Sequence, residues 1–324
     1  MTIMPAASRQ YDCHSSTDWF TLSAQHDAFR LRWDQPAGRG WETCYRLPPG
    51  LWLRTLDLEQ ASGCLPAWIP GGHLTLAGML DGDTALETPE GEAFDLGNGQ
   101  LLCSHRRQGT AFLDRCPEPG RYLMVLLILD PEHLRRPPFG LTASDVARFA
   151  PEIDGNRRLP LDTALRRCLR DMASPPVDPH RLLLYLQAKI SEFLCLLLSS
   201  PAQTFPAPRL EPRDREALEA ARRRLLADLA PPPHLAELSR AIGMSESKLK
   251  QRFREYHGQS LTDCLRQARL REAERLLDDE RLPIARIAET LGYEHPANFT
   301  TAFKRELGLT PRDYRKHRRQ RLAH

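Results

Sequence analysis

The chain has 324 residues, 41% of them apolar, which is enough for two domains with cores of their own. Its eight cysteines (13, 44, 64, 103, 116, 168, 195 and 264) show neither a CxxC pair nor a Cys/His set at zinc spacing. That excludes a zinc module and suits buried thiols in a reducing cytoplasm. Residues 1–10 lack the apolar core of an export signal, and the most apolar run, 182–198, is interrupted by Gln187, Lys189 and Glu192. It therefore reads as too short for a membrane span.

The net charge of +3 is unevenly placed. From Pro212 onward there are 24 Lys+Arg against 17 Asp+Glu, a balance of +7, which leaves −4 for residues 1–211. A basic C-terminal third on an acidic remainder suits a polyanionic partner for that third alone.

Residues 28–33 alternate, 51–58 follow Pro48-Pro49-Gly50, and 73–80 run into Asp81-Gly82, a strong hairpin signal. Residues 91–102 and 120–129 continue the series. Strands at short intervals with Gly and Pro between them predict a β-sandwich or barrel. His73 and His105 have no HxH companion, so neither a metal site nor catalysis is expected. A barrel mouth is a natural small-molecule pocket. Trp41, Trp52 and Trp68 could line one, but strand aromatics usually belong to the core, so no effector contact is nominated.

After Asp130-Pro131 the pattern turns helical, over 143–150, 161–173 and 179–199. Asp178 is the expected N-cap of the last, with Pro179 in its first turn. Its apolar face (Leu182, Leu183, Leu186, Ile190, Phe193, Leu194, Leu197, Leu198) needs a cover: the β layer, a neighbouring helix or a second subunit. Residues 201–212 hold four prolines and read as a semi-rigid linker. A helix over 214–229 ends before Pro231-Pro232-Pro233.

Between 234 and 315 one pattern is written twice. Leu238, Ile242, Gly243 and Met244 recur 49 positions on as Ile287, Leu291, Gly292 and Tyr293. Leu249, Phe253, Gly258 and Ser260 recur 50 positions on as Phe299, Phe303, Gly308 and Thr310. Each copy is a short amphipathic helix ended by a glycine, then a second helix, opened by Ser245 as N-cap in one copy and by Pro296 in the other. Two such units are tandem helix-turn-helix motifs. The amphipathic helix 261–277 between them is roughly 25 Å long, a strut able to hold two reading helices about one DNA turn apart.

The run GYEHPANFTTAFKRELGLTPRDYR, residues 292–315, resembles the C-terminal signature of AraC/XylS-type transcription regulators. The resemblance extends from about Pro212 to the end. Residues 295–305 and the layout of the N-terminal half are most similar to the siderophore-responsive branch, the pyochelin and alcaligin regulators. The strand series with its Leu-Gly-x-Gly-Gln run also resembles that family's cupin-like sensor domain. The resemblance implies an α+β chain of two domains. A cupin-like β-barrel or sandwich followed by helices spans 11–200, with a helical segment that in relatives often dimerises. The linker is 201–212, and 213–318 form an all-α tandem helix-turn-helix domain.

With Leu249 and Phe253 turned inward, the first unit presents Ser247, Lys250 and Gln251 to bases and Arg254 to phosphate. With Phe299 and Phe303 inward, the second presents Pro296, Ala297, Asn298 and Thr301, a face poor in long polar side chains. Lys304, Arg305, Arg312 and residues 315–321 would supply its phosphate contacts. The second unit is therefore expected to read shape and backbone more than base edges. The function implied is a cytoplasmic, non-enzymatic regulator of promoter DNA, an activator working with RNA polymerase and without a cofactor. Its first candidate effector is a ferric siderophore, which would place it over iron and siderophore genes; the runner-up is an aromatic or other small metabolite. The rivals are a cupin-type metalloenzyme, which lacks its ligand set here, and a nucleoid-type binder with no effector.

Overall fold

The computed structural model describes residues 9–199 and 212–322, apart from positions 16, 37, 49, 61–62, 89–90, 92, 117–118 and 258. The chain divides into two compact units, Met1–Phe205 and Pro206–His324. The expected linker, except Pro212, lies outside the described residues.

The first unit runs β1 (Gln10–Asp12), α1 (Asp18–Ser23), β2 (Ala28–Gln35), β3 (Gly38–Leu47), β4 (Leu51–Gln60), β5 (Gly63–Ile69), β6 (Leu74–Asp81), β7 (Thr84–Glu87), β8 (Ala93–Leu96), β9 (Gln100–His105), β10 (Thr110–Cys116), β11 (Gly120–Leu129), α2 (Pro131–Leu134), α3 (Ala143–Phe149), β12 (Gly155–Pro160), α4 (Thr163–Ala173) and α5 (Leu182–Ser199). Eight strands form one sheet in the order β1-β2-β3-β4-β11-β6-β9-β12, and four form another, β5-β10-β7-β8. Both are open. The sandwich half of the expectation describes this layout; a closed cupin-like barrel does not.

The central strand β11 shows why its sequence is apolar throughout. Tyr122, Met124, Leu126 and Ile128 enter the core between the two sheets, together with Leu65, Leu86 and Phe112 of the small sheet. Val125, Leu127 and Leu129 face the other way, into a core with α4 and α5. A strand covered on both faces loses its alternation, because neither face meets water. The unit is thus three layers deep.

Asp81-Gly82 closes no hairpin: β6 pairs with β11 and β9, and β7 with β10 and β8. Gly82 (φ +88) carries the chain from the large sheet to the small one. The positive φ that makes Asp-Gly a hairpin signal serves a crossover equally well. The run 91–102 contains β8 in the small sheet and opens β9 in the large one. Gly97-Asn98-Gly99 returns the chain to the large sheet between β8 and β9, with Gly99 at φ +81.

The helices fall near their expected places. Thr142 and Asp145 form a reciprocal capping box on α3, and Asp162 caps α4. Asp178 does not cap; a 3₁₀ turn (Pro179–Arg181) precedes α5, and the Asp178 carboxylate pairs with Arg181 at 3.4 Å instead. Residues 179–199 (mean hydropathy 1.6) are long and apolar enough to cross a membrane by length and composition alone, whereas the sequence predicted too short a run. Much of this helix's apolar face (Leu186, Ile190, Phe193, Leu194, Leu197) is buried within the unit, while Leu184 stays 72% exposed.

The second unit comprises α6 (Pro212–Ala227), α7 (Leu235–Ile242), α8 (Glu246–His257), α9 (Leu261–Leu276), α10 (Ile284–Thr290), α11 (Pro296–Leu307) and α12 (Pro311–Leu322). It has two cores. Leu218, Ala221 and Leu225 of α6 meet Leu238 of α7, Leu249 and Phe253 of α8, and Cys264 of α9. Leu270 and Ala273 of α9, with Leu277, meet Ile287, Leu291, Phe299 and Phe303. One strut therefore contributes to both.

Candidate nucleic-acid interface

Each repeat copy builds the same device. In the first, α7 ends at Gly243 in the left-handed conformation (φ 69°), and the Ser245 hydroxyl accepts from the Lys248 amide at 3.2 Å. In the second, Gly292 takes φ +73 and Pro296 opens α11. The turn needs the left-handed region that a Cβ disfavours, which explains both glycines.

Burying one face of α8 and α11 leaves the opposite face in water. Leu249, Phe253, Phe299 and Phe303 are fully buried. Phe299 and Phe303 pack with ring centroids 5.6 Å apart, and Tyr314 of α12 closes edge-on at 5.4 Å. Ser247, Lys250, Gln251 and Arg254 are exposed on α8, and Pro296, Ala297, Asn298, Thr301, Lys304 and Arg305 on α11. Arg312 is exposed on α12. Lys248 also lies outside the core, paired with Asp214 at 3.2 Å. Each exposed set recurs at helical spacing, so it forms a face able to enter a groove.

Arg315 departs from its expected phosphate role. It is half-buried, donating from Nε to the Leu277 carbonyl at 3.2 Å and from Nη2 to the Leu282 carbonyl at 2.8 Å. It satisfies the carbonyl at the C-cap of α9, which a helix terminus leaves without a partner, and another in the turn before α10.

The first unit holds a separate polar cluster. A cavity of about 40 Å³ between the sheets is lined by Trp33, Arg54, Trp68, Phe112 and Asp114 among apolar neighbours. Arg54 Nε donates to Glu42 at 2.6 Å, both side chains being buried, and the guanidinium lies 4.1 Å from the Trp19 ring centroid. The Trp33 indole also donates to Glu42, at 3.2 Å. Of the three tryptophans weighed as pocket-lining, Trp68 lines this cavity. Trp52 packs edge-on against His73 at 5.2 Å, and Trp41 lies beneath the Arg30 guanidinium at 4.3 Å. His73 bonds the Gly71 carbonyl at 2.7 Å. No group of three or more His, Cys, Asp or Glu able to hold a metal lies among the described residues.

Sequence reading missed Glu42, Arg54 and Asp114. The signal available was a charged residue at an inward position of an otherwise apolar strand face, as in Phe112-x-Asp114-x-Cys116.

Burial pushes the Asp114 carboxyl up from 3.8 to about 7, against the opposing effect of the Tyr122 phenol, which donates to it at 2.5 Å. The folded unit thus holds this proton more tightly than the unfolded chain does. The stability linked to it is complete below about pH 4 and is lost as pH rises toward 7. Asp114→Asn should abolish that decline and gain on the wild type by up to about 2–4 kcal/mol at pH 8 relative to pH 4. Denaturant melts followed by tryptophan fluorescence at pH 4 and pH 8 measure this. A constant gap between the two proteins at both values would mean Asp114 is ionised throughout.

Comparison with known proteins places these parts. Residues 238–317 match the family model described as helix-turn-helix domain. Residues 37–212, more than half of the chain, match the one described as regulatory protein PchR N-terminal domain. Among curated proteins, the HTH-type transcriptional regulator GlxA of Rhizobium meliloti is 33% identical over 132 residues, covering 41% of this chain and 39% of its own. The HTH-type transcriptional activator RhaR of Escherichia coli is 37% identical over 92 residues, 28% of this chain and 33% of its own. The matches thus span about two fifths or less of these relatives' length. Among solved structures, an AraC-type regulator from Chromobacterium violaceum aligns at TM-score 0.31 and 23% identity, over 32% of this chain and 94% of its own. Unsaturated fatty acid-bound ToxT from Vibrio cholerae aligns at TM-score 0.34 and 12% identity, over 83% and 96%; likeness at that level carries no weight for function. The helix-turn-helix match falls on the doubled motif and the other match on the sheet-bearing unit, so the chain belongs to the regulatory protein PchR N-terminal-domain family and carries a helix-turn-helix domain behind it.

Proposed function

We propose that α8 and α11 enter two successive major grooves on one side of promoter DNA. The observation that carries this is the pairing of two buried anchor sets with two exposed faces on helices joined by one strut. Ser247, Lys250 and Gln251 read base edges in one groove; Pro296, Ala297, Asn298 and Thr301 face the other. Arg254, Lys304, Arg305 and Arg312 bind phosphate. Lys250→Ala then relaxes preference at one box and costs ~1–3 kcal/mol on the cognate site. Arg254→Ala weakens cognate and random DNA alike and lowers the salt slope by about one. Titrations on both DNAs at several salt concentrations test the pair, and the assignment fails if Lys250→Ala leaves sequence preference intact.

The first unit is the sensor, as the family match over 37–212 supports. A ferric siderophore is the first candidate effector, and an aromatic or other small metabolite the second. The cavity of about 40 Å³ is far smaller than a ligand pocket, so the sheets must part or the ligand must sit elsewhere on the unit. Effector binding alters how the protein, alone or as a homodimer, meets promoter DNA and RNA polymerase in the cytoplasm. It activates transcription of iron and siderophore genes. Tryptophan quenching by a ferric chelate, absent with the iron-free chelator, would support the siderophore reading. Equal quenching by both would favour a plain metabolite.

A further inference from the structure

One side chain ties the segment that leaves α6 to the second helix-turn-helix unit. Arg269, midway along α9, donates from Nε and Nη2 to the Leu229 carbonyl at 3.0 and 2.8 Å. Its guanidinium lies 5.5 Å from the ring centroid of Tyr293. Both partners' side chains pack against the second core, yet they come to it from different directions along the chain. Leu229 follows α6, whose Leu218, Ala221 and Leu225 build the first core. Tyr293 follows the turn glycine of the second unit and packs on Phe299 at 5.4 Å.

Gly292 shows how tight this junction is. A Cβ there would stand 2.8 Å from the Ala230 side chain, 2.8 Å from Arg269 Nη2 and 3.1 Å from the Leu229 carbonyl. The chain after α6, the strut and the second unit's turn therefore press together at one point. The Leu229 side chain also packs against the second core, so the segment is held from both sides. A bidentate guanidinium on one carbonyl fixes distance and direction, which one flexible ammonium would not. Without this clamp the exposed faces of α8 and α11 would be related chiefly through α9.

We propose that Arg269, seated against Gly292, is a positioning residue for DNA recognition, setting the angle and separation of α8 and α11 and so the base-pair spacing between the two boxes. This rests on the reading that both helices enter grooves. One added base pair turns the second box by about 35° and shifts it by about 3.4 Å, so a rigid pair of heads tolerates it poorly.

The test uses the full chain and the site that the wild type enriches from random DNA, with one or two base pairs inserted or deleted between the boxes. The wild type should lose roughly tenfold or more in affinity per base pair, comparable to a mismatch. Arg269→Ala should bind the best spacing somewhat less tightly yet lose only about threefold per step, and Arg269→Lys should fall between. Gly292→Ala, which wedges the same junction open, should flatten or shift the profile too. Circular dichroism checks that each variant folds; if Arg269→Ala does not, Arg269→Lys and Gly292→Ala decide. A uniform loss at every spacing, with the profile's shape unchanged, would overturn the inference and leave Arg269 a structural residue only. A wild type that enriches no two-box site would instead remove the tandem reading on which the inference rests.

Discussion

Glu42→Gln is expected to destabilise the N-terminal unit by about 3–5 kcal/mol, because it strands the Arg54 guanidinium in a dry interior. The two side chains lie on β3 and β4, where Cys44 opposes Arg54 and Glu42 opposes Leu56, so the pair is diagonal across one sheet face. Side-chain exposure is 7% for Arg54 and 1% for Glu42, leaving little water to solvate an unpaired charge. The amide oxygen that this substitution introduces could still accept from the Trp33 indole, so the loss would come from charge rather than shape. The double variant Glu42→Gln/Arg54→Met should recover most of it, since exchanging a buried ion pair for packed neutral groups is often close to neutral. All five tryptophans (19, 33, 41, 52 and 68) lie in this unit, so urea melts followed by fluorescence isolate it. A double variant no better than Glu42→Gln would mean that the residues act through shape.

Phe303→Ala should cost about 3–5 kcal/mol and unfold the second helix-turn-helix unit selectively. Phe303 is fully buried, with its ring packed against those of Phe299 and Tyr314, so truncation leaves a cavity in a small core. The first core shares none of these residues. The helical signal should therefore melt earlier while the tryptophan transition stays in place. Binding should shrink from two boxes to the one read by α8. If both transitions moved together, the two units would not melt independently, and if binding at both boxes were lost, the two cores would not be independent.

The C-terminal domain was legible because its constraints are local. A turn that needs a left-handed residue demands Gly243 and Gly292, and a helix docked on a small core demands anchors a turn apart, Leu249 with Phe253 and Phe299 with Phe303. Such requirements repeat when the unit is duplicated. The sheets were less legible. In β3 the run Gly-Arg-Gly-Trp-Glu-Thr-Cys looks polar, since Glu42 is inward only because Arg54 on the next strand compensates it. Asp81-Gly82 and Gly97-Asn98-Gly99 told truly of sharp turns, but a turn signal does not say whether the chain returns to the same sheet. Arg315 and Arg269 looked like any basic surface residues. Only the fold shows that they hold backbone carbonyls rather than wait for phosphate.

Selection of DNA sites by the full-length protein from a random library, at moderate salt, tests the central claim most directly. The expected result is one enriched site made of two boxes with centres about 10–10.5 base pairs apart, the box facing α8 being more sharply defined than the one facing α11. A single box, two boxes at no fixed distance, or no enrichment at all would contradict it.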